Sequence, residues 1–144
     1  MKILLIGQSP GRRGDAYRPL EGKVTKKLAG LAGVSVEEWL DRTERTNLLD
    51  EFPGKAGKGD IWNTELSRKK AEQVELHLVG RTVLLLGRNV ARAFGLVELP
   101  WMTWVEEFGA KVSVIPHPSS IVIWWNALEN REAVAVFLKG MLKI

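Results

Sequence analysis

Residues able to do chemistry gather in three short stretches of this chain. The first is Gly7-Gln8-Ser9-Pro10-Gly11, directly after the apolar run Ile3-Leu4-Leu5-Ile6. Gly7 and Gly11 admit backbone conformations closed to other residues and let a ligand come close, and Pro10 stiffens the turn. Gln8 and Ser9 add a donor and acceptors at the tip. The second stretch is Pro116-His117-Pro118-Ser119-Ser120, after the apolar run Val112–Ile115. The third is Asn47, whose amide both donates and accepts. In open α/β sheets, ligands bind outside the carboxyl ends of the strands. Each stretch sits at such an end, so together they read as the walls of one site for a polar ligand.

The composition narrows that chemistry. The chain has no cysteine, which removes disulfides, thiolate nucleophiles, iron–sulfur clusters and cysteine zinc sites together. Two histidines, His77 and His117, are too few for a histidine-rich metal site. No metal and no cofactor are expected. The formal net charge is +4, and its placement matters more than its size. Residues 12–27 carry six cations (Arg12, Arg13, Arg18, Lys23, Lys26 and Lys27) against Asp15 and Glu21, a local excess of four. A basic cluster beside a ligand loop favours a polyanion such as nucleic acid; the other reading is a solvated loop and helix face.

These residues need elements to hold them. At 144 residues the chain suits a single domain, residues 1–144, with a real core. Ile3–Ile6 reads as a central parallel strand covered on both faces. Lys23–Leu31 reads as a helix with Val24, Leu28 and Leu31 on one face, and Ser35 starts a short second helix through a capping box with Glu38. Thr43–Leu49 is the expected second strand, and Asp50–Asp60 a loop. Asn63 or Thr64 caps a helix running to Val79, with Leu66, Val74 and Leu78 inward. Val83–Leu86 is the third strand, Asn89–Phe94 a short helix, and residues 96–109 are irregular. Val112–Ile115 is the fourth strand and Asn126–Lys143 the last helix, with Leu128, Val134, Phe137, Leu138, Met141 and Leu142 at helical spacing. Strands alternating with helices predict a three-layer α/β/α fold around a mainly parallel, four-stranded sheet. The apolar start is too short for a signal peptide or membrane span. The expectation is a monomer in the cytosol of a prokaryote or phage host, or on its nucleoid, with no membrane contact.

The ordered set of motifs resembles the uracil-DNA glycosylase superfamily. Its first motif, a strand followed by Gly-x-x-Pro-Gly or Gly-Gln-Asp-Pro, is matched by Gly7-Gln8-Ser9-Pro10-Gly11. The Arg-Pro-Phe-x-Gly stretch of the iron–sulfur branch is matched by Arg18-Pro19-Leu20-Glu21-Gly22. Its Thr-Asn strand is matched by Thr46-Asn47-Leu48, and its strand–helix junction by Leu84-Leu85-Leu86-Gly87-Arg88. The second superfamily motif, His-Pro-Ser, is matched by His117-Pro118-Ser119, and Trp124-Trp125-Asn126 looks like the aromatic-Asn ending of mismatch-specific members. Two departures stand out. Ser9 occupies a position that often carries Asp or Asn, and the cluster-binding cysteines are absent.

The resemblance implies a DNA glycosylase that removes uracil or a related deaminated or modified base flipped out of DNA. His117 would donate a hydrogen bond to a base carbonyl as negative charge builds there. Ser9 would hold the attacking water or bond a phosphate. Gln8 would read the base through its backbone N–H or position the loop, and water placement could fall to either side chain. Asn47 suits a pyrimidine edge, Gly7 lets the base approach, and Tyr17 or Leu20 would pack on it. Ser119 and Ser120 would pinch DNA phosphates alongside the Pro10-Gly11 turn, Arg12, Arg13 and Lys23. Ile121 would act as an apolar wedge in the vacated stack. No lysine sits in the motifs to form a Schiff base, so the enzyme would be monofunctional. Two rivals stand beside this one: a catalytically weak or inactive DNA- or base-binding protein of the same fold, and a nucleotide-binding domain using Gly7–Gly14 as an anion loop.

Overall fold

The computed structural model describes residues 2–9, 20–49, 55–56, 59–60, 62–119 and 123–144. The strands are β1 (Ile3–Gly7), β2 (Thr43–Asn47), β3 (Lys55–Ala56), β4 (Gly59–Asp60), β5 (Thr82–Leu86), β6 (Val105–Glu107) and β7 (Ala110–Ile115). The helices are α1 (Lys23–Ala32), α2 (Val36–Arg42), α3 (Thr64–Glu75), α4 (Arg88–Ala93) and α5 (Leu128–Leu142), with a 3-10 turn over Ile123–Asn126.

The main sheet has five strands in the order β2-β1-β5-β7-β6, not the four read from the sequence. The first four run parallel, and β6 is antiparallel to β7. The pleat sends alternate residues to opposite faces. Ile6, Val83, Leu85, Val112 and Val114 join a core with Ala71 of α3 and Val90 and Ala91 of α4. Ile3, Leu5, Leu84, Leu86 and Ile115 join a second core with Leu28 of α1, Trp39 of α2 and Val134 and Leu138 of α5. Helices therefore cover both faces. Burying a Leu or Ile side chain contributes roughly 1.5–3 kcal/mol, so these two cores hold the strand ends in fixed relation.

The extra strand lies inside the segment read as irregular. Val105–Glu107 pairs with Ala110–Val112 through a two-residue turn, Phe108-Gly109, with φ of +56° and +68°. Two positive φ values are the signature of the hairpin turn that matches sheet twist. Phenylalanine is an unusual occupant there. Its ring packs on Phe94 at a centroid distance of 5.9 Å, which offsets the backbone cost.

Other boundaries shift for local reasons. The stretch read as an Asp50–Asp60 loop contains the β3–β4 pairing, with Lys55 opposite Asp60 and Ala56 opposite Gly59. The Asn63 side chain caps α3 through Leu66 N at 2.9 Å, but the helix stops at Glu75, short of Val79. Leu66 is exposed rather than inward, and Ser67 and Ala71 face the core in its place. Leu128, at the start of α5, is likewise exposed. The serine half of the capping box forms, with Ser35 Oγ accepting from Glu38 N at 3.1 Å, while the Glu38 carboxylate pairs with Arg42 at 3.1 Å. Gly33 closes α1 in the left-handed region, with Val34 N donating to Ala29 O at 3.1 Å. Among the described residues, no helix is long and apolar enough to cross a membrane.

Candidate functional site

Parallel pairing aligns the strand ends. Gly7 lies opposite Asn47, and Leu86 opposite Ile115. The sheet order β2-β1-β5-β7 therefore sets Asn47, Gly7, Gly87 and the His117 segment side by side along one edge. The chain steps from β1 to β2 on one side and later to β5 on the other. The point where the winding reverses lies between β1 and β5, and ligands in doubly wound sheets bind in that crevice.

Gly7, Asn47 and Leu20 form one wall. A Cβ built on Gly7 would sit 2.7 Å from Asn47 Oδ1 and 2.8 Å from Leu20 Cδ2, so only glycine admits this packing. Leu48 N donates to Gly7 O and Leu49 N to Gln8 O, both at 2.8 Å, which ties the loop after β1 to the loop after β2. Leu20 sits at φ +60°, a costly conformation for a branched side chain, and its carbonyl accepts from Thr25 Oγ1. Gly7→Ala is expected to lower stability by about 1 kcal/mol while weakening ligand binding more than that, because Asn47 and Leu20 must both move. Urea denaturation and ligand titration of one preparation check the two effects separately.

Among the described residues, two buried polar atoms at this wall have no hydrogen-bond partner: Ser9 Oγ and Asn47 Oδ1. Buried polar atoms are nearly always paired, so such orphans need an explanation, and a ligand supplies one. Trp39 Nε1, Arg81 Nε and Ser113 Oγ are also unpartnered, but Trp39 and Ser113 are buried residues of α2 and β7 and Arg81 precedes β5.

His117 forms the opposite wall. Its Nδ1 accepts from Ser119 N at 3.1 Å, which in the neutral ring assigns the proton to Nε2. The His117 carbonyl accepts from Trp125 Nε1 at 2.6 Å. Trp125 is buried beneath Lys27, whose Nζ lies 4.2 Å from its ring centroid. Burial, and then the charge of Arg131, lower the Lys27 pKa from its ordinary value. Arg131 donates in turn to the Trp125 carbonyl at 2.7 Å. On the side facing β5, Gly87 N donates to Ile115 O at 2.8 Å, and a Cβ on Gly87 would lie 3.2 Å from His117 Cβ. The histidine is thus held from the sheet and from the segment leading into α5.

Between the walls, Gln8 reaches across the crevice. Its Oε1 accepts from Asn89 Nδ2 of α4 at 3.3 Å, and Asn89 Oδ1 accepts from Arg92 at 3.1 Å. The neighbouring Arg88 guanidinium stacks on Trp101 at 3.8 Å and donates to Val97 O at 3.0 Å, fixing the segment after α4. Burial, followed by the charge of Arg92, lowers the Arg88 pKa from its usual value.

The strand ends thus gather Gly7, Gln8, Ser9, Leu20, Asn47, His117 and Ser119 along one edge. Lys23 is exposed on the first turn of α1. Pro10, Gly11, Arg12, Arg13, Tyr17, Ser120 and Ile121 lie outside the described residues. His77 is exposed on the turn after α3, as expected of a surface histidine. Sequence reasoning missed Asn89 and Arg92, and it placed Trp125 only within an aromatic-Asn ending. A groove of about 370 Å³ lined by Thr82, Trp104, Lys111 and Phe137 opens near the other ends of β5 and β7, away from these residues. No protein-family model and no curated protein matches the chain.

Proposed function

We propose that this chain is a monofunctional DNA glycosylase that hydrolyses the N-glycosidic bond of uracil, or of a related deaminated or modified base, flipped out of DNA. The observation that carries the reading is the pairing of a buried, unpartnered Asn47 Oδ1 with a histidine whose Nδ1 is already an acceptor, both at the carboxyl edge of one parallel sheet. Asn47 Oδ1 accepts the ring N–H of the base. His117 Nε2–H donates to a base carbonyl that becomes anionic as the C1′–N bond breaks. Such a donor acts on charge that develops only in the transition state. A water adds its oxygen to C1′, and its surplus proton ends on the departing base. Ser9 Oγ, buried and unpartnered, is the seat for that water. Gly7 and Leu20 bound the base on the β1 side. Flipping the base costs a few kcal/mol, about the scale that unstacking requires, and the basic residues 12–27 offset it through phosphate contacts.

One observation favours a second reading, a protein of the same fold that binds the base without cutting. Among the described residues, no hydrogen-bonded base takes the proton of Ser9 Oγ, and a serine hydroxyl is a weak activator of water on its own. Labelled single- and double-stranded oligonucleotides carrying uracil, hydroxymethyluracil, hypoxanthine or xanthine separate the two. Alkali-labile sites after incubation with at least one of them are expected. DNA binding with no cleavage of any would replace the enzyme with the binding protein.

A further inference from the structure

Gln8 and Asn89 meet across the crevice between β1 and β5, where the sheet reverses its winding. The orientation of both amides follows from one fixed point. A guanidinium has only N–H groups and can only donate. The Asn89 atom 3.1 Å from Arg92 Nη1 must therefore be Oδ1. Asn89 then turns its Nδ2 toward Gln8, and the Gln8 atom that receives it at 3.3 Å must be Oε1. With Oε1 turned toward Asn89, Gln8 offers its Nε2 amino group to a ligand on the other side of the amide plane.

We propose that Asn89, anchored by Arg92, is a positioning residue that makes the Gln8 side chain a donor, so that the site selects a base presenting a carbonyl oxygen to Gln8. This rests on the glycosylase reading and sharpens it. Deamination replaces an exocyclic amino group by a carbonyl, and an amide that turns its amino group to the base favours the second over the first. Arg92 lies outside the site and acts two residues removed from the base, through the direction it imposes on two amides.

The test exploits an inversion that a merely structural role does not produce. Asp is the isosteric replacement for Asn, so a packing or folding role makes Asn89→Asp milder than Asn89→Ala. Under the proposal the order reverses. The carboxylate introduced by Asn89→Asp still pairs with Arg92 but can only accept, so it draws the Gln8 amino group to itself and turns Oε1 toward the base. Asn89→Ala merely releases Gln8 to rotate. The probes are oligonucleotides bearing the best-cleaved base of the panel, together with a 2′-fluoro deoxyuridine form that resists hydrolysis, so that binding is read apart from cleavage. Asn89→Asp is expected to weaken binding and excision by roughly tenfold, the scale of one misdirected hydrogen bond, and Asn89→Ala by about threefold or less. In a Gln8→Ala background, Asn89→Asp is expected to cause no further loss.

An Asn89→Asp variant milder than Asn89→Ala overturns the relay and leaves the glycosylase reading intact. So does an Asn89→Asp penalty that persists in full without Gln8, since that outcome is simple repulsion of DNA phosphates. Binding of the 2′-fluoro form with no cleavage of any base overturns the enzyme reading, while the order of the two variants still decides the relay. A chain that binds none of the probes overturns both.

Discussion

Replacing His117 with alanine is expected to lower the rate of base excision by about a hundredfold, with little change in KM. The magnitude follows from the role. One preorganised donor aimed at developing charge contributes about 10²–10³ in rate when the site excludes water. The split between kcat and KM follows from when the interaction forms. The base carbonyl carries little charge in the bound state and much in the transition state, so the loss falls on kcat. The structure adds a control. The ring is oriented by Ser119 N on Nδ1 and its backbone by Trp125 Nε1 on the carbonyl. Losing the side chain leaves the second bond in place, so the loop should keep its course and DNA affinity should stay near wild type. Single-turnover kinetics with a uracil oligonucleotide and a parallel binding titration check both parts. A wild-type rate in His117→Ala would remove the histidine from the mechanism even if the activity is real.

Gly87→Ala is expected to reduce stability by about 2–3 kcal/mol and to abolish most activity in the protein that still folds. Gly87 sits at φ +99° and ψ +161°, a region open essentially to glycine alone. Forcing a side chain into it costs about 1–3 kcal/mol before any clash. The new Cβ then meets His117 Cβ at 3.2 Å and His117 N at 3.7 Å. Both atoms belong to the residue proposed as the donor, and the closer approach can be relieved only by moving His117. Urea denaturation reads the first effect. The second is read as the loss of excision rate, without urea, at a temperature well below the melting point. Retained activity with a large stability loss would mean that the His117 segment relaxes away from its site role without consequence.

The central strands were legible for a simple reason. Ile3–Ile6 and Val83–Leu86 are continuous apolar runs, and the structure buries both faces of β1 and β5. Gly7, Asn47 and His117 could be placed at strand ends because each follows such a run or its neighbour. Short-range signals worked for the same reason at Ser35 and Asn63, where a cap needs only the next three residues. What failed depended on contacts distant in sequence. β6 is three residues long and turns through a phenylalanine at positive φ, which no local propensity favours; its ring packs on Phe94 and the core around it. Asn89 and Arg92 looked like ordinary residues of a short helix. Their link to Gln8 exists because β5 docks beside β1, and that is a fact of strand order. Trp125 packs in the core, and its N–H also reaches back to the His117 carbonyl, eight residues earlier in the chain.

The order β2-β1-β5-β7 has one more consequence. The row Asn47, Gly7, Gly87, His117 draws on four widely separated parts of the chain, and no short contiguous fragment contains it. Nothing resembling the site exists in a half-built sheet. Because contacts of long sequence separation form late and slowly, the row is expected to assemble only as the sheet itself completes. Under the proposed function, a site that exists only in the assembled sheet acts on a base only in the folded chain.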